Sequence, residues 1–295
     1  MRFLFQQHFS VYGLLIVSCF AISAQAEILT QAELVMKIGL ANKSTTRPMT
    51  VAYNPIQKKY YIADGGLAPM GSEFEPPISK SEVHTYDASG KYISSAKPGY
   101  DNRSIYFNSK EKRLETITYN VSSELGFAPN TGTYALDLNE NGEVKNSSKE
   151  LSQYNTAFGF AGTMPSFDVE NNRYFAKQGR SNMVFIVDPK TEQRLGHIAL
   201  DFTAAGVAHD DISDGFVAYS DIQGEELLLL DVDHKAILVF DIHGKYVNKS
   251  ELPKTMKLRA HNHYNGLGYA NDLFFVFNEP EGEFGTYYGF KVQKK

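Results

Sequence analysis

Two short segments of the chain combine histidine with acidic or amide side chains. Residues 208–211 read Ala-His-Asp-Asp, and residues 260–263 read Ala-His-Asn-His. Imidazole nitrogens and carboxylate oxygens are normal ligands for Zn²⁺ and other transition ions, and a bound ion can activate water for hydrolysis. The candidate metal ligands are therefore His209, Asp210, Asp211, His261 and His263. Their spacing matches no established metal motif, so the competing interpretation is loop histidines that only form hydrogen bonds.

A sequence repeat of about fifty residues organises the chain that must position these side chains. Residues 237–247 are typical of a strand, a tight turn and a second strand, and residues 83–93 are their closest copy. An aspartate recurs at equivalent places in four periods: Asp87, Asp137, Asp188 and Asp241. Because these aspartates fall in different periods, they are far apart in the predicted fold, and we expect them to cap turns.

Each period divides into four short predicted strands, A to D. The A strands are predicted at 49–54, 104–108, 165–169, 215–220 and 266–270, and the B strands at 59–64, 114–120, 173–177, 226–232 and 273–278. The C strands are predicted at 83–87, 133–137, 183–188, 236–241 and 287–292, and the D strands at 91–95, 143–147, 194–200 and 245–250. Four-stranded units at this period are typical of an all-β chain folded as a single β-propeller. Five antiparallel blades are favoured, and six are compatible with the long loops at 149–163 and 200–214.

The last period lacks a D strand. Residues 33–40 form a strand-like segment that no A, B or C strand precedes. This segment can supply the missing strand and close the ring, which would protect sheet edges that are otherwise exposed.

Strands B and C of the fourth period, residues 227–231 and 237–244, resemble an NHL-type propeller blade. Residues 60–64 with 85–90 resemble it too. The wider superfamily includes NHL, YVTN and gluconolactonase-like propellers, among them protein-binding scaffolds, sensors and metal-dependent lactonases. The resemblance implies architecture across nearly all of residues 27–295, and fold alone does not select an activity. The chain also departs from the six blades usual in NHL-type and gluconolactonase-like members.

The D-to-A and B-to-C loops of a propeller share one face, and here they are the long loops. Aromatic residues occur in the segments 65–82, 151–163 and 278–288, and the first and last of these also carry acidic residues. Such a surface suits a protein, peptide or small-molecule ligand, unless these aromatics only pack the loops onto the blades. Four oxygen-bearing residues near B-strand ends would suit Ca²⁺, although such residues more often cap their own turns: Asp64, Asn120, Asp231 and Asn278. A divalent ion, Ca²⁺ or Zn²⁺, is thus a candidate cofactor at the central channel.

Residues 1–26 have the pattern of a signal peptide. Arg2 precedes an apolar run from Val11 to Ser23, and Ala24-Gln25-Ala26 forms a small-x-small cleavage site. The competing interpretation is a lipid anchor at Cys19 after a lipobox-like sequence. The apolar run is too short for a membrane span, so we expect a secreted or periplasmic protein whose propeller domain covers residues 27–295.

Composition and motifs exclude several functions. The formal net charge is −5 and no Lys/Arg run is present, which argues against a nucleic-acid partner. The chain has no nucleophile elbow, P-loop or dinucleotide fingerprint, so serine hydrolase, kinase and dehydrogenase readings are unsupported. The sequence favours an exported binding or scaffold propeller that acts through its long-loop face. The alternative is a metal-dependent, lactonase-like hydrolase with its His/Asp site at the channel mouth, so catalysis is left open.

Overall fold

A computed structural model describes residues 27–40, 47–65, 81–98, 102–118, 132–153, 156–160, 162–191, 193–279 and 285–294. The predicted signal peptide, Cys19 and much of the long loops lie outside the described residues. The leader and the alternative lipid anchor therefore stay predictions.

Strands dominate the described chain. The first ten are β1 (Glu27–Gly39), β2 (Arg47–Asn54), β3 (Lys59–Gly65), β4 (Glu82–Asp87), β5 (Tyr92–Ala96), β6 (Asn102–Asn108), β7 (Arg113–Thr118), β8 (Gly132–Leu138), β9 (Val144–Gln153) and β10 (Ser166–Asp168). The second ten are β11 (Arg173–Lys177), β12 (Met183–Asp188), β13 (Gln193–Ala199), β14 (Ala218–Tyr219), β15 (Leu227–Asp231), β16 (Ala236–Phe240), β17 (Tyr246–Glu251), β18 (Leu267–Ala270), β19 (Leu273–Asn278) and β20 (Thr286–Lys294). Most boundaries lie within two or three residues of those predicted from the repeat.

The strands form antiparallel sheets in chain order, as the repeat predicts. Three sheets contain four strands each, in the orders β2-β3-β4-β5, β6-β7-β8-β9 and β10-β11-β12-β13. An eight-stranded sheet has the order β14-β15-β16-β17-β1-β20-β19-β18. It consists of two four-stranded meanders joined by a parallel pairing of β1 with β17. Strand β1 pairs antiparallel with β20, so the N-terminal segment does occupy the missing outer position.

The fourth repeat shows why these strands form a core. All residues of β15 and β16 are buried. Successive side chains on a strand point to opposite faces, so Leu228 and Leu230 enter one apolar cluster while Leu227 and Leu229 enter another. Each leucine buried in this way contributes about 1.5–3 kcal/mol. Sheets that are apolar on both faces must be covered on both faces, which stacks the sheets side by side.

The inner strands contact one another in the cyclic order β2, β6, β10, β14, β18 and back to β2. Three hydroxyl groups donate from one inner strand to a backbone carbonyl in, or one residue before, the next: Thr50 to Arg103, Ser104 to Pro165, and Ser166 to Val217. At the closing contact the Gly266 amide donates to the Pro48 carbonyl at 2.9 Å. Gly268 is required there, because a Cβ would lie 2.7 Å from the Val51 nitrogen. The arrangement is that of a β-propeller.

Turn capping by the repeated aspartates is confirmed for three of the four. Asp87, Asp188 and Asp241 each accept backbone amides of the turn that follows the third strand of their sheet. The prediction is wrong in the second repeat, where Asn139 accepts the amides of Asn141 and Glu143. Asp137 lies two residues too early for the turn and accepts from the Ser147 hydroxyl instead.

Helical structure is confined to short connections in the described part of the chain. The α-helix α1 spans Phe202–Ala205, and 3₁₀ turns span Thr156–Phe158, His209–Asp211 and Ala260–His263. The connection at 200–214, considered for hidden strands, therefore holds helical turns. None of these helices has the length and apolar character needed to cross a lipid bilayer.

Candidate functional site

A cavity of about 420 Å³ occupies the channel between the inner strands. It opens at the A-to-B turns, where Pro55, Ser109, Glu170 and Asn271 contribute to its rim. The D-to-A and B-to-C loops, which the sequence indicated as the binding face, lie at the opposite end of the strands. Much of those loops lies outside the described residues, so binding at that face stays a prediction.

Aromatic side chains form the wall of this channel cavity. Every inner strand contributes at least one half-buried ring, namely Tyr53, Tyr106, Phe167, Tyr219 and Tyr269, and Phe107 and Phe216 also line the cavity. Their backs pack on other rings, which fixes their positions. The ring of Phe167 lies 5.0 Å from that of Tyr106, and the ring of Tyr219 stacks on Phe175 at 5.1 Å. The cavity therefore presents preformed aromatic surfaces.

The charged residues that line the channel cavity are all acidic. They are Asp168, Glu170, Asp221 and Asp272, and no Lys, Arg or His is among the described lining residues. Asp168 is buried and accepts from the Arg173 guanidinium at 2.9 Å. The Lys110 ammonium lies 3.9 Å from Glu170. Asp221 and Asp272 are exposed at the rim, and both have a positive φ, which aspartate tolerates better than most residues.

The acidic residues also contribute to raised pKa values of two tyrosines in the cavity wall. Burial raises the pKa of Tyr219 to about 12, and the neighbouring Asp168 carboxylate adds to the effect. Burial also raises the pKa of Tyr269, with further contributions from Asp272 and Asp221. Burial disfavours any charge, but the contribution of the acidic neighbours favours a cation over an anion at these positions.

A second polar cluster, here called the carboxylate–histidine cluster, lies at the other end of the strands, in the first sheet. Asp64 at the end of β3, and Glu82 and His84 at the start of β4, place potential ligand atoms within 4.8 Å of one another. Asp64 and His84 are 1% and 5% exposed. The His84 Nε2 lies 3.4 Å from Asp64 Oδ2, and its Nδ1 lies 2.7 Å from the Ser95 hydroxyl. In the described chain this is the only such trio of His, Cys, Asp or Glu.

The structure brings residues 212–214, just after the first predicted metal-binding segment, into contact with the second segment. The Asp214 amide donates to the His263 carbonyl at 2.5 Å, and His263 Nδ1 lies 3.4 Å from the Ile212 carbonyl. The side chains diverge, however. The ring of His209 packs 5.4 Å from that of Phe202, and Asp211 accepts the Ala208 amide.

The remaining predicted ligands have other neighbours as well. The ring of His261 lies 5.7 Å from that of Phe277, and His263 Nε2 lies 3.4 Å from Asp233. No three ligand atoms of His209, Asp210, Asp211, His261 and His263 lie within 4.8 Å of one another, although all five residues are described. Metal binding by this set stays a prediction.

The predicted ring of oxygen ligands is dispersed. Asp231 is buried, and both of its carboxylate oxygens lie 3.0 Å from His234 Nδ1. Asn278 accepts the Lys257 amide. Asn120 lies outside the described residues. Of the four, only Asp64 belongs to the carboxylate–histidine cluster, and its companions there are Glu82 and His84.

One buried cation lies at the long-loop end of β11. Lys177 is 2% exposed, and its ammonium donates to the carbonyls of Gln178, Ser181 and Asp214. Burial lowers the pKa of Lys177 to about 8, partly offset by the Asp214 carboxylate. With all three protons of the ammonium engaged, this lysine holds the loops together.

Comparison with solved structures identifies the fold. The glutaminyl cyclase of Myxococcus xanthus matches 91% of this chain and 99% of its own, at 10% identity and a TM-score of 0.51. The chain therefore has a β-propeller fold. The periplasmic gluconolactonase PpgL of Pseudomonas aeruginosa has 12% identity and a TM-score of 0.39, covering 84% of this propeller and 72% of its own chain.

A protein of unknown function from Bacteroides thetaiotaomicron has 11% identity and a TM-score of 0.47, covering 87% of this propeller and 59% of its own chain. No protein-family model and no curated sequence matches the chain. Structural similarity at such low sequence identity shows the fold alone. The function must therefore be argued from the sites themselves.

The channel cavity is the feature that the sequence analysis missed. Its signal is present in the repeat, since an aromatic residue stands near the end of each inner strand, from Tyr53 to Tyr269. Aromatic residues are common in strands for packing reasons. Only the ring of strands brings the five together.

Proposed function

We propose that this chain is an exported five-bladed β-propeller that binds a small, positively charged organic molecule in its central channel. The observation that carries the proposal is the channel lining, in which every inner strand supplies an aromatic ring and every charged residue is acidic. A cation over an aromatic face gains about 0.5–2 kcal/mol, and several faces around one cavity add selectivity.

The size and shape of the cavity support a small ligand. A volume of about 420 Å³ falls within the range of small-molecule sites, roughly 300–1,000 Å³. The rim carboxylates of Asp221 and Asp272 would attract and orient the charged group of the ligand, while the rings below would contact its apolar part. This lining supports the proposed binding role.

The blade count and the export belong to the same proposal. Five blades are supported by the cyclic contacts of five inner strands, each followed by its own meander. Export is supported by the charged, apolar and small-residue pattern of residues 1–26. The metal-dependent hydrolase remains the alternative class, and the glutaminyl cyclase and lactonase likenesses add no activity to either reading at their low identity.

The proposal is tested by calorimetric titration of the protein with choline and, separately, with its neutral isostere 3,3-dimethylbutan-1-ol. We expect choline, or another amine in a small panel, to bind at one site per chain, and the uncharged partner to bind at least tenfold more weakly. The double variant Asp221→Asn/Asp272→Asn should weaken amine binding, because asparagine tolerates the same positive φ.

The matched control is Glu111→Gln. Glu111 is an exposed acid on an A-to-B turn that pairs with Arg113 and does not line the cavity. This variant should bind amines as the parent does. Equal affinity for amines and their neutral isosteres, or equal losses in the rim and control variants, would overturn the proposal.

A further inference from the structure

The carboxylate–histidine cluster of the first sheet has an unusual cross-strand pair. Asp64 on β3 and Glu82 on β4 are direct partners in the antiparallel register. Like charges placed directly opposite each other destabilise a sheet, and here one carboxylate is 1% exposed. The Lys97 ammonium lies 3.6 Å from Glu82 Oε1, but the Lys97 side chain is half-exposed. The second Glu82 oxygen, Oε2, lies 3.9 Å from His84 Nδ1.

His84 is held in the orientation of a metal ligand. Its cross-strand partner Ser95 lies 2.7 Å from Nδ1, and the Tyr92 hydroxyl lies 2.9 Å from the same serine oxygen. Metal-ligating histidines characteristically donate their second ring N–H to a fixed acceptor. In the tautomer in which Nδ1–H donates to Ser95, Nε2 presents its lone pair to the Asp64 carboxylate. A cation between these two acceptors would then bind both of them.

The spacing of the facing atoms fits such a cation. Nε2 of His84 and Oδ2 of Asp64 are 3.4 Å apart, which is long for a hydrogen bond. Ligands about 2.0–2.1 Å from a tetrahedral ion lie about 3.3–3.4 Å from one another. We propose that Asp64, Glu82 and His84 form a binding site for a divalent transition ion of the Zn²⁺ class.

The donor set selects the class of ion. One imidazole nitrogen with two carboxylates suits zinc and its first-row neighbours, whereas Ca²⁺ takes oxygen ligands in larger number. Three protein ligands leave a fourth position of a tetrahedral ion for water. Because the ligands come from β3 and β4, a bound ion would lock these strands together at the long-loop end. The channel cavity lies at the other end and is independent of this site.

The test is a zinc titration of the purified full chain after treatment with EDTA, followed by elemental analysis and by the visible spectrum of the Co²⁺-loaded protein. We expect one ion per chain, a tetrahedral cobalt spectrum and a higher melting temperature with zinc. His84→Asn should reduce zinc affinity by at least about tenfold, the scale at which even outer partners of a metal site act.

The matched control is His263→Asn. His263 Nε2 lies 3.4 Å from Asp233, the same spacing as in the cluster, but with a single and half-exposed carboxylate. This variant should leave zinc affinity unchanged. Should His84→Asn fail to fold, Glu82→Gln on the more exposed side of the cluster decides. Zinc binding that survives Glu82→Gln overturns the proposal. Zinc binding that is lost in His263→Asn also overturns it, and favours a site formed by the 209–211 and 261–263 segments.

Discussion

The two ends of the propeller use carboxylates in opposite ways. At the A-to-B end, Asp221 and Asp272 stand exposed around an open cavity. At the B-to-C end of the first sheet, Asp64 is buried beside a second acid and an imidazole. Both sets lie near strand ends, where the sequence alone would assign them to turns. The difference shows that an acidic side chain near a strand end can face an open cavity or join a buried cluster, depending on how the surrounding sheets pack.

The physical basis of this difference is packing. Inner strands border the central channel, so Asp221 and Asp272, just beyond the ends of β14 and β18, stay in contact with solvent, whereas Asp168 within β10 is buried and pairs with Arg173. The second and third strands of each sheet are covered on both faces by neighbouring sheets, as the apolar residues of β3 and β4 illustrate. A carboxylate at such a position loses hydration and needs a partner. The first environment suits an exchangeable organic ligand, and the second suits a permanently held ion.

The largest effect is expected from adding a methyl group at Gly65, next to the buried Asp64. A Cβ on Gly65 would lie 1.8 Å from the Asn102 carbonyl oxygen, so Gly65→Ala must displace backbone next to Asp64. We expect a loss of about 3 kcal/mol of stability, together with loss of zinc binding. Urea denaturation and zinc titration measure both.

The control for this change is Gly224→Ala, at an A-to-B turn. Gly224 has a positive φ of 83° but nothing within 4 Å of its Cβ position. It should lose only about 1–2 kcal/mol and keep its zinc affinity. Equal effects on zinc at both positions would contradict the separation of the two ends.

A pH effect should come from Lys177 at the long-loop end. Its pKa is about 8 in the folded protein against 10.5 for an ordinary lysine. Between these values the unfolded chain holds a proton that the folded chain has released, so the free energy of unfolding rises with pH across this window. The pKa difference corresponds to roughly 3 kcal/mol.

Urea midpoints at pH 7, 8, 9 and 9.5 should reveal this rise in the parent protein. Lys177→Met should abolish it, whereas Lys249→Met, at a half-exposed position on β17, should keep it. Above pH 10 stability should fall, because burial raises the pKa of Tyr106 and Tyr174 and the folded protein then holds protons that the unfolded chain loses. A flat profile in the parent from pH 8 to 9.5 would show that Lys177 is not the titrating group.

A smaller effect is expected at the facing acids. Glu82→Gln removes the repulsion with Asp64, so the metal-free protein should gain about 0.2–1 kcal/mol. The same change removes a proposed ligand, so the melting temperature should no longer rise with zinc. Calorimetric scans without and with zinc measure the gain in stability of the metal-free variant and the loss of its zinc-dependent rise in melting temperature. A metal-free variant less stable than the parent would indicate that the ion pair with Lys97 outweighs the repulsion.

The smallest effect is expected at the channel rim. Asp272→Asn should reduce amine affinity by about two- to fivefold, because exposed ion pairs contribute about 0.2–1 kcal/mol. The loss should shrink at high salt, and zinc binding should be unaffected. Titrations at low and high ionic strength would detect the change. An equal loss for the neutral isostere would point to a change of shape in place of a change of charge.

Much of the fold could be predicted from the repeat. Strands Arg173–Lys177, Met183–Asp188 and Leu273–Asn278 were predicted at their observed bounds, since short apolar runs bounded by turn residues are typical of buried strands. The pairing of β1 with β20 followed from counting strands. The error at Asp137 arose because a repeated residue type marks a turn only to within a residue or two, and Asn139 can form the same hydrogen bonds.

The sites were less predictable. The segments around His209 and His263 do meet, as the repeat suggested, but the direction of each side chain depends on packing against Phe202 and Phe277. Glu82 and His84 gave no local signal, because one residue separates them and their partner Asp64 lies eighteen residues earlier. Their proximity depends on the register between β3 and β4.

The sequence by itself determined the all-β class, the four-stranded unit, the turn chemistry and the role of the N-terminal strand. These depend on interactions between residues near in the chain or one period apart. Only the tertiary structure decided that five aromatic rings surround one cavity and that Asp64, Glu82 and His84 meet in a buried cluster. Closing the ring brings together side chains from every period, and strand register then sets which of them touch. Neither constraint leaves a mark in any single segment of the chain.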